Sequence, residues 1–166
     1  MYRPLLEKPR VRGQMKGNAV ANPLYDGLFG RHAGKTTPFL HLLDGSTITH
    51  QHFLSRAAQI ANVMLQLELK PGDRVAAQIE KSPEALALYA ACAQAGLVFL
   101  PLNTAYTVDE LAYFIDNSGA SLIVCDGRNQ AALAPLAGRL GAIIETLNAD
   151  GSGSLNAKMQ KMPILF

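Results

Sequence analysis

Four short, mostly apolar segments recur between helix-forming stretches, and this alternation constrains the fold more than any other feature. They are DRVAAQI (residues 73–79), LVFLPL (97–102), SLIVC (121–125) and AIIETL (142–147). LVFLPL and SLIVC are apolar at successive positions, so both sides of each strand must be buried. Strands of that kind separated by helices imply a mainly parallel sheet with helices on both faces, an α/β architecture with right-handed crossovers.

The helix signals between the strands are specific. Ser82-Pro83-Glu84 supplies an N-cap, a first-turn proline and a first-turn acid, and Gly96 supplies the left-handed stop. LVFLPL is expected to stop where Pro101 removes a ladder donor. Thr107 caps the next helix, with Asp109 and Glu110 at its positive end, Gly119 closing it, and Leu111, Phe114 and Ile115 sharing a face. RNQAALAPLAGRL (128–140) is expected to be helical, with Pro135 as a kink or boundary.

Upstream, residues 22–34 suggest a short helix. PFLHLLDGSTIT (38–49) suggests two strands turning at Asp44-Gly45. Residues 49–69 suggest an amphipathic helix with Phe53, Ala57, Ile60, Ala61 and Met64 on one face. Downstream, NADGSGSL (148–155) is expected to be a flexible polar linker, and NAKMQKMPILF (156–166) ends on exposed hydrophobics. The chain thus divides into a basic extension (1–21), an α/β part (22–148) and a linker with a truncated or divergent tail (149–166). No internal repeat occurs.

Composition excludes several classes. With 166 residues, 49% hydrophobic and 17% charged, the chain suits one ordinary core and is not a disordered tail. Net charge is +2, and the basic residues are dispersed except for Arg3, Lys8, Arg10, Arg12 and Lys16 near the start, so no nucleic-acid partner is expected. Nor is a membrane expected. No charge occurs between Glu84 and Asp109, but Gln94, Gly96, Pro101 and Asn103 interrupt that stretch, which fits a buried helix followed by a buried strand. Cys92 and Cys125 sit in apolar runs, as small buried groups in a reducing cytoplasmic compartment would. The basic start lacks the apolar core of a secretory signal, and an organellar transit peptide is the remaining targeting option.

Candidate chemistry is sparse. GRHAGKTT (30–37) has the ending of a phosphate loop, but the required earlier glycine falls on Phe29 and no strand precedes it. His41, His50 and His52 lack metal-ligand spacing. No Gly-x-Gly-x-x-Gly follows a strand, and no Ser-His-Asp set presents itself, so no catalytic or metal-binding residue is assigned.

The run GDRVAAQIEKSPEALALYAACAQAGLVFLPLNTAYTVDELAYFIDNSGASLIVCD resembles the N-terminal part of the AMP-forming acyl-CoA synthetase and ligase family, the adenylate-forming enzymes. EKSPEALALY, LPLNTAYTVDELAYFI, VCD and ETLNADGSGSL resemble malonyl-CoA synthetases in particular, over residues 22–155. The resemblance implies ATP, Mg²⁺ and coenzyme A (CoA) as co-substrates and cofactor of the complete enzyme. A carboxylate, here malonate, would be activated to an acyl-adenylate and transferred to CoA. It also implies that the CoA nucleotide lies over residues 103–106 and 126–129, with Arg128 and Thr104 as the contacts. Arg128 is the only cation in those loops; a solvated arginine in a first helical turn is the alternative, and the arginine some relatives place at Ala105 is missing.

The family's Ser/Thr/Gly-rich phosphate loop, acyl-pocket arginine, ribose-binding aspartate and C-terminal adenylation lysine are absent from the 166 residues. Without amides and cations aimed at the phosphates, adenylation has no preorganised stabiliser. The expectation is therefore an incomplete N-terminal subdomain, a truncated or frame-shifted piece that is inactive alone, binds none of these ligands tightly and self-associates. The alternative is a self-sufficient, non-catalytic α/β binding or interaction domain.

Overall fold

The computed structural model describes residues 22–166; the basic extension expected over 1–21 lies outside them. Four parallel strands form the central sheet: β3 (Arg74–Gln78), β4 (Val98–Pro101), β5 (Leu122–Cys125) and β6 (Ile143–Thr146), in the order β4-β3-β5-β6. A separate antiparallel hairpin, β1 (Pro38–His41) and β2 (Thr47–Thr49), turns at Asp44-Gly45 as expected. The Asp44 carboxylate accepts from the backbone N–H and hydroxyl of Ser46, at 2.9 and 2.7 Å.

Six helices surround the strands: α1 (Pro23–Leu28), α2 (His50–Gln66), α3 (Pro83–Ala95), α4 (Val108–Ser118), α5 (Gln130–Leu140) and α6 (Ser154–Met159). The caps anticipated at Ser82, Gly96, Thr107 and Gly119 are made, and Thr49, not anticipated as a cap, also caps α2. Thr49, Ser82 and Thr107 accept the N-terminal amides of α2, α3 and α4, and Gly96 and Gly119 end α3 and α4 in the left-handed conformation. Thr107 and Glu110 form a reciprocal capping box. Arg74 closes α4 from the sheet side, its Nε and Nη2 donating to the carbonyls of Ser118 and Gly119 at 2.8 Å each, where a cation also offsets the helix dipole.

Successive residues along the strands enter different cores. Val75, Ala77, Leu122 and Val124 face a cluster built with α2, α3 and α6; Ala76, Ile123 and Cys125 face one built with α4 and α5. The result is the expected helix–sheet–helix layering. The uncharged run after Glu84 forms α3 and β4, and no described helix is long and apolar enough to cross a membrane.

Two expectations are corrected. Pro135 neither ends nor bounds a helix, because α5 runs through it. A proline costs one backbone hydrogen bond there, and Leu133, Leu136 and Ala137 bury the helix against the core regardless. NADGSGSL is not a flexible linker. The Asp150 carboxylate accepts from Ser152, Asn148 and Ser152 pair through backbone and side chain, and the amides of Thr146 and Ser154 donate to each other's hydroxyls at 2.9 Å. This turn delivers α6, whose Leu155 and Met159 are buried with the α2–α3 core. Glu145, 2% exposed on β6, accepts from Ser154 and pairs with Lys158. The last residues are exposed as expected, Ile164 at 58%, Leu165 at 80% and Phe166 at 48%. Asn62 on α2 nevertheless donates to the carbonyls of Pro163 and Leu165, at 3.1 and 2.8 Å.

Candidate functional site

Strand order places one position apart from the rest. The chain goes from β3 outward to β4 and then crosses to β5 on the other side of β3, so the connections leave β3 and β5 on opposite faces. A crevice opens beyond the carboxyl ends of two such strands, and open α/β sheets bind ligands there. Here Gln78, Glu80, Thr104, Asp126, Arg128 and Asn129 line a cavity of about 270 Å³ at that point. It continues on one side into an acidic shelf including Glu80, Asp126 and Asp150. On the other lies a larger cleft of about 970 Å³ with an apolar floor including Leu86, Tyr89, Phe99 and Pro101. Glu80 borders all three, and Thr104 borders the crevice and the apolar cleft.

The structure thus brings both sequence-derived candidates, Thr104 and Arg128, to one crevice. Thr104 sits in the turn after β4, where Asn103 Oδ1 accepts from the Ala105 amide at 2.9 Å. Arg128 opens the short turn after β5. Asp126 Oδ1 accepts from the Arg128 backbone N–H at 3.0 Å and from its Nε at 2.9 Å, and Asp126 Oδ2 accepts from Nη2 at 3.3 Å. These bonds hold the Asp126 carboxyl below the usual carboxylate range and raise the Arg128 guanidinium further, so both stay charged at neutral pH. The arginine side chain is 75% exposed, with Nη1 directed at neither Asp126 oxygen. An anion approaching Arg128 therefore finds one oriented donor edge and two nearby carboxylates, Glu80 and Asp126, that oppose it.

Two residues escaped the sequence reading. Gln78, 2% exposed at the end of β3, reaches both crevice loops; Glu145 anchors α6. Each is a polar residue that directly continues a run of apolar strand residues, Val75–Ala77 or Ile143–Ile144, and that adjacency is the signal that could have found them. Asn148 adds a third tie, accepting from the Gly127 amide at 2.8 Å.

The other candidates do not converge on the crevice. GRHAGKTT forms a short turn ahead of β1 in which Lys35 Nζ lies 3.1 Å from His32 Nδ1. His50 stacks on His32 with centroids 4.6 Å apart, while His41 ends β1 and His52 lies in the first turn of α2. Burial pushes the Cys92 thiol up to about 12, and burial with neighbouring Asp126 pushes Cys125 up to about 11, so neither is a thiolate at neutral pH.

Against known proteins, the sequence profile of the AMP-binding enzyme family matches residues 29–162. Apo MatB from Rhodopseudomonas palustris is 41% identical, with a TM-score of 0.83 over 87% of this chain and 29% of that one; MatB has also been solved with ATP bound. A feruloyl-CoA synthase from an Amycolatopsis species is 38% identical over 97 residues, 58% of this chain and 20% of that protein. Long-chain fatty acid transport protein 1 from Rattus norvegicus is 30% identical over 135 residues, 80% of this chain and 21% of that protein. The chain therefore spans about a fifth of the length of these curated relatives.

Proposed function

Because the chain belongs to the AMP-binding enzyme family and matches the N-terminal part of its adenylate-forming members, we propose that it supplies the CoA-facing part of a malonyl-CoA or related short-chain acyl-CoA synthetase. In that reaction a carboxylate oxygen attacks the α-phosphate of ATP and expels pyrophosphate. The CoA thiol then attacks the acyl carbonyl and expels AMP. The observation that carries the reading is the 41% identity to MatB across 87% of this chain, together with a family match that includes every crevice residue. The malonyl assignment rests on the resemblance of EKSPEALALY and LPLNTAYTVDELAYFI to malonyl-CoA synthetases.

This chain's own contribution is local. Arg128, pre-oriented by Asp126, offers its outer guanidinium edge to a CoA phosphate, and Thr104 faces it across the crevice. With Glu80 and Asp126 opposing an anion, binding to this chain alone is weak. The described residues do not cradle the triphosphate: in the glycine- and serine-rich loop after β6 (148–155) the amides of Asn148, Gly151, Ser152 and Ser154 are already bonded within the loop or to Thr146. No adenylation step is assigned to them. A cytoplasmic location goes with this reading.

A second reading, a self-sufficient α/β binding domain, is favoured by one observation: the segment after β6 folds back and buries Leu155 and Met159.

A ¹H–¹⁵N titration of the chain with CoA tests the proposal. Shifts confined to residues 103–106 and 126–129, saturating at millimolar CoA and reduced in Arg128→Ala, are expected. No shifts in those loops, or shifts unchanged by Arg128→Ala, would remove CoA from this crevice.

A further inference from the structure

The polar centre of the crevice is held by a side chain for which the reaction has no role. Gln78 Nε2 donates to the carbonyls of Asn103 and Tyr106, both at 3.2 Å, and lies 3.4 Å from that of Thr104. Its Oε1 accepts from Asn129 Nδ2 at 3.2 Å. The amide orientation follows from chemistry, because an oxygen turned toward three carbonyls would find no donor.

We propose that Gln78 is a positioning residue that couples the β4–α4 loop to the β5–α5 loop, fixing the separation between Thr104 and Arg128 across the switch point. Its ligand, CoA, rests on the function proposed above; the coupling does not. The remaining side-chain bonds in these loops lead elsewhere. Asn103 bonds Ala105 and Asp126 bonds Arg128 within their own loops, and Gly127 is tied to Asn148 after β6. Among the described residues, Gln78 alone has side-chain hydrogen bonds to both loops.

Geometry makes the side chain hard to replace. It is 2% exposed, so water does not readily take over its bonds. Leucine fills similar space with no donor or acceptor. Glutamate keeps the shape but turns a charge toward three carbonyls, and asparagine is one methylene short of spanning both loops.

Amide hydrogen exchange and a CoA titration on the chain, for wild type, Gln78→Leu and Gln78→Asn, test this, with Ile60→Val on α2, in the other core cluster, as the control. Exchange at Ala105 and Tyr106 and at Arg128 and Asn129 should rise together by about tenfold or more beyond the Ile60→Val control, with β5 unaffected beyond that control. CoA affinity should fall in parallel. Loosening of one loop only, of neither, or equally in the control would overturn the coupling. If both loops loosen but wild type binds no CoA, the coupling stands and the CoA reading fails. If wild type binds CoA and the Gln78 variants bind it equally well, the positioning role fails and the CoA reading stands. Should Gln78→Leu not fold, Gln78→Asn carries the same readout.

Discussion

Gly153→Ala is expected to be among the most damaging single-methyl additions in this chain. Gly153 adopts φ +129° and ψ 173°, and an added Cβ would lie 2.3 Å from the Thr146 carbonyl oxygen and 2.7 Å from its carbon. Those atoms are backbone of β6 and cannot swing away. The dihedral strain alone is about 1–3 kcal/mol, and the clash adds to it. The chain has one way to limit the loss, which is to release α6. That release exposes Leu155 and Met159, about 1.5–3 kcal/mol each, and separates Lys158 from buried Glu145. Release costs about 3–6 kcal/mol from the two side chains alone, and strain with the clash added is of the same order, so the destabilisation is at least about 3 kcal/mol. With a urea m-value of about 1.5 kcal/mol/M, the midpoint falls by at least about 2 M. Gly138→Ala is the control: it lies inside α5 with nothing within 4 Å of its added Cβ, and it should gain up to about 1 kcal/mol. Circular dichroism in urea reads both. Gly153→Ala within about 0.5 kcal/mol of wild type would show that residues 148–159 do not pack as described.

Three further outcomes follow. The Glu110 carboxyl is held below its ordinary value of 4.5 by Thr107. Its stabilisation is therefore present above pH 4.5 and lost as pH falls through the lowered folded value, so the stability gap between wild type and Glu110→Gln should shrink across that fall; a gap constant from pH 7 to pH 3 would contradict the capping box. The purified chain should show no malonate-dependent ATP–pyrophosphate exchange above a no-protein blank, and clear exchange would mean that phosphate-binding groups have been overlooked. On size-exclusion chromatography the chain should elute larger than a monomer and shift with dilution, since β4 is a sheet edge with Val98 49% exposed and the Ile164–Phe166 end is open; a concentration-independent monomer with a cooperative transition favours the self-sufficient domain.

Local rules wrote most of the fold legibly into the chain. Ser82, Thr107, Gly96 and Gly119 announce helix ends because their chemistry acts within four residues, and SLIVC announces a two-sided strand because both its faces must be apolar. The rest depends on partners farther along the chain. The ordered turn after β6 needs Thr146 and Glu145 brought against Ser154 and Lys158, which its Gly/Ser composition alone does not show. Pro135 lies inside α5 rather than at its boundary because tertiary burial outweighs one lost hydrogen bond. Strand order, and with it the switch-point crevice, is a property of pairing between segments, which explains why Thr104 and Arg128 came from a family resemblance and Gln78 came only from the structure.

The most direct measurement is a chimera in which residues 22–162 of this chain replace the matching part of Rhodopseudomonas palustris MatB, assayed for malonyl-CoA formation with and without Arg128→Ala. The proposed function requires that the chimera form malonyl-CoA, and that Arg128→Ala raise the CoA KM while leaving malonate-dependent pyrophosphate release intact. A folded chimera that releases pyrophosphate yet forms no CoA thioester, or whose CoA KM ignores Arg128, would contradict it.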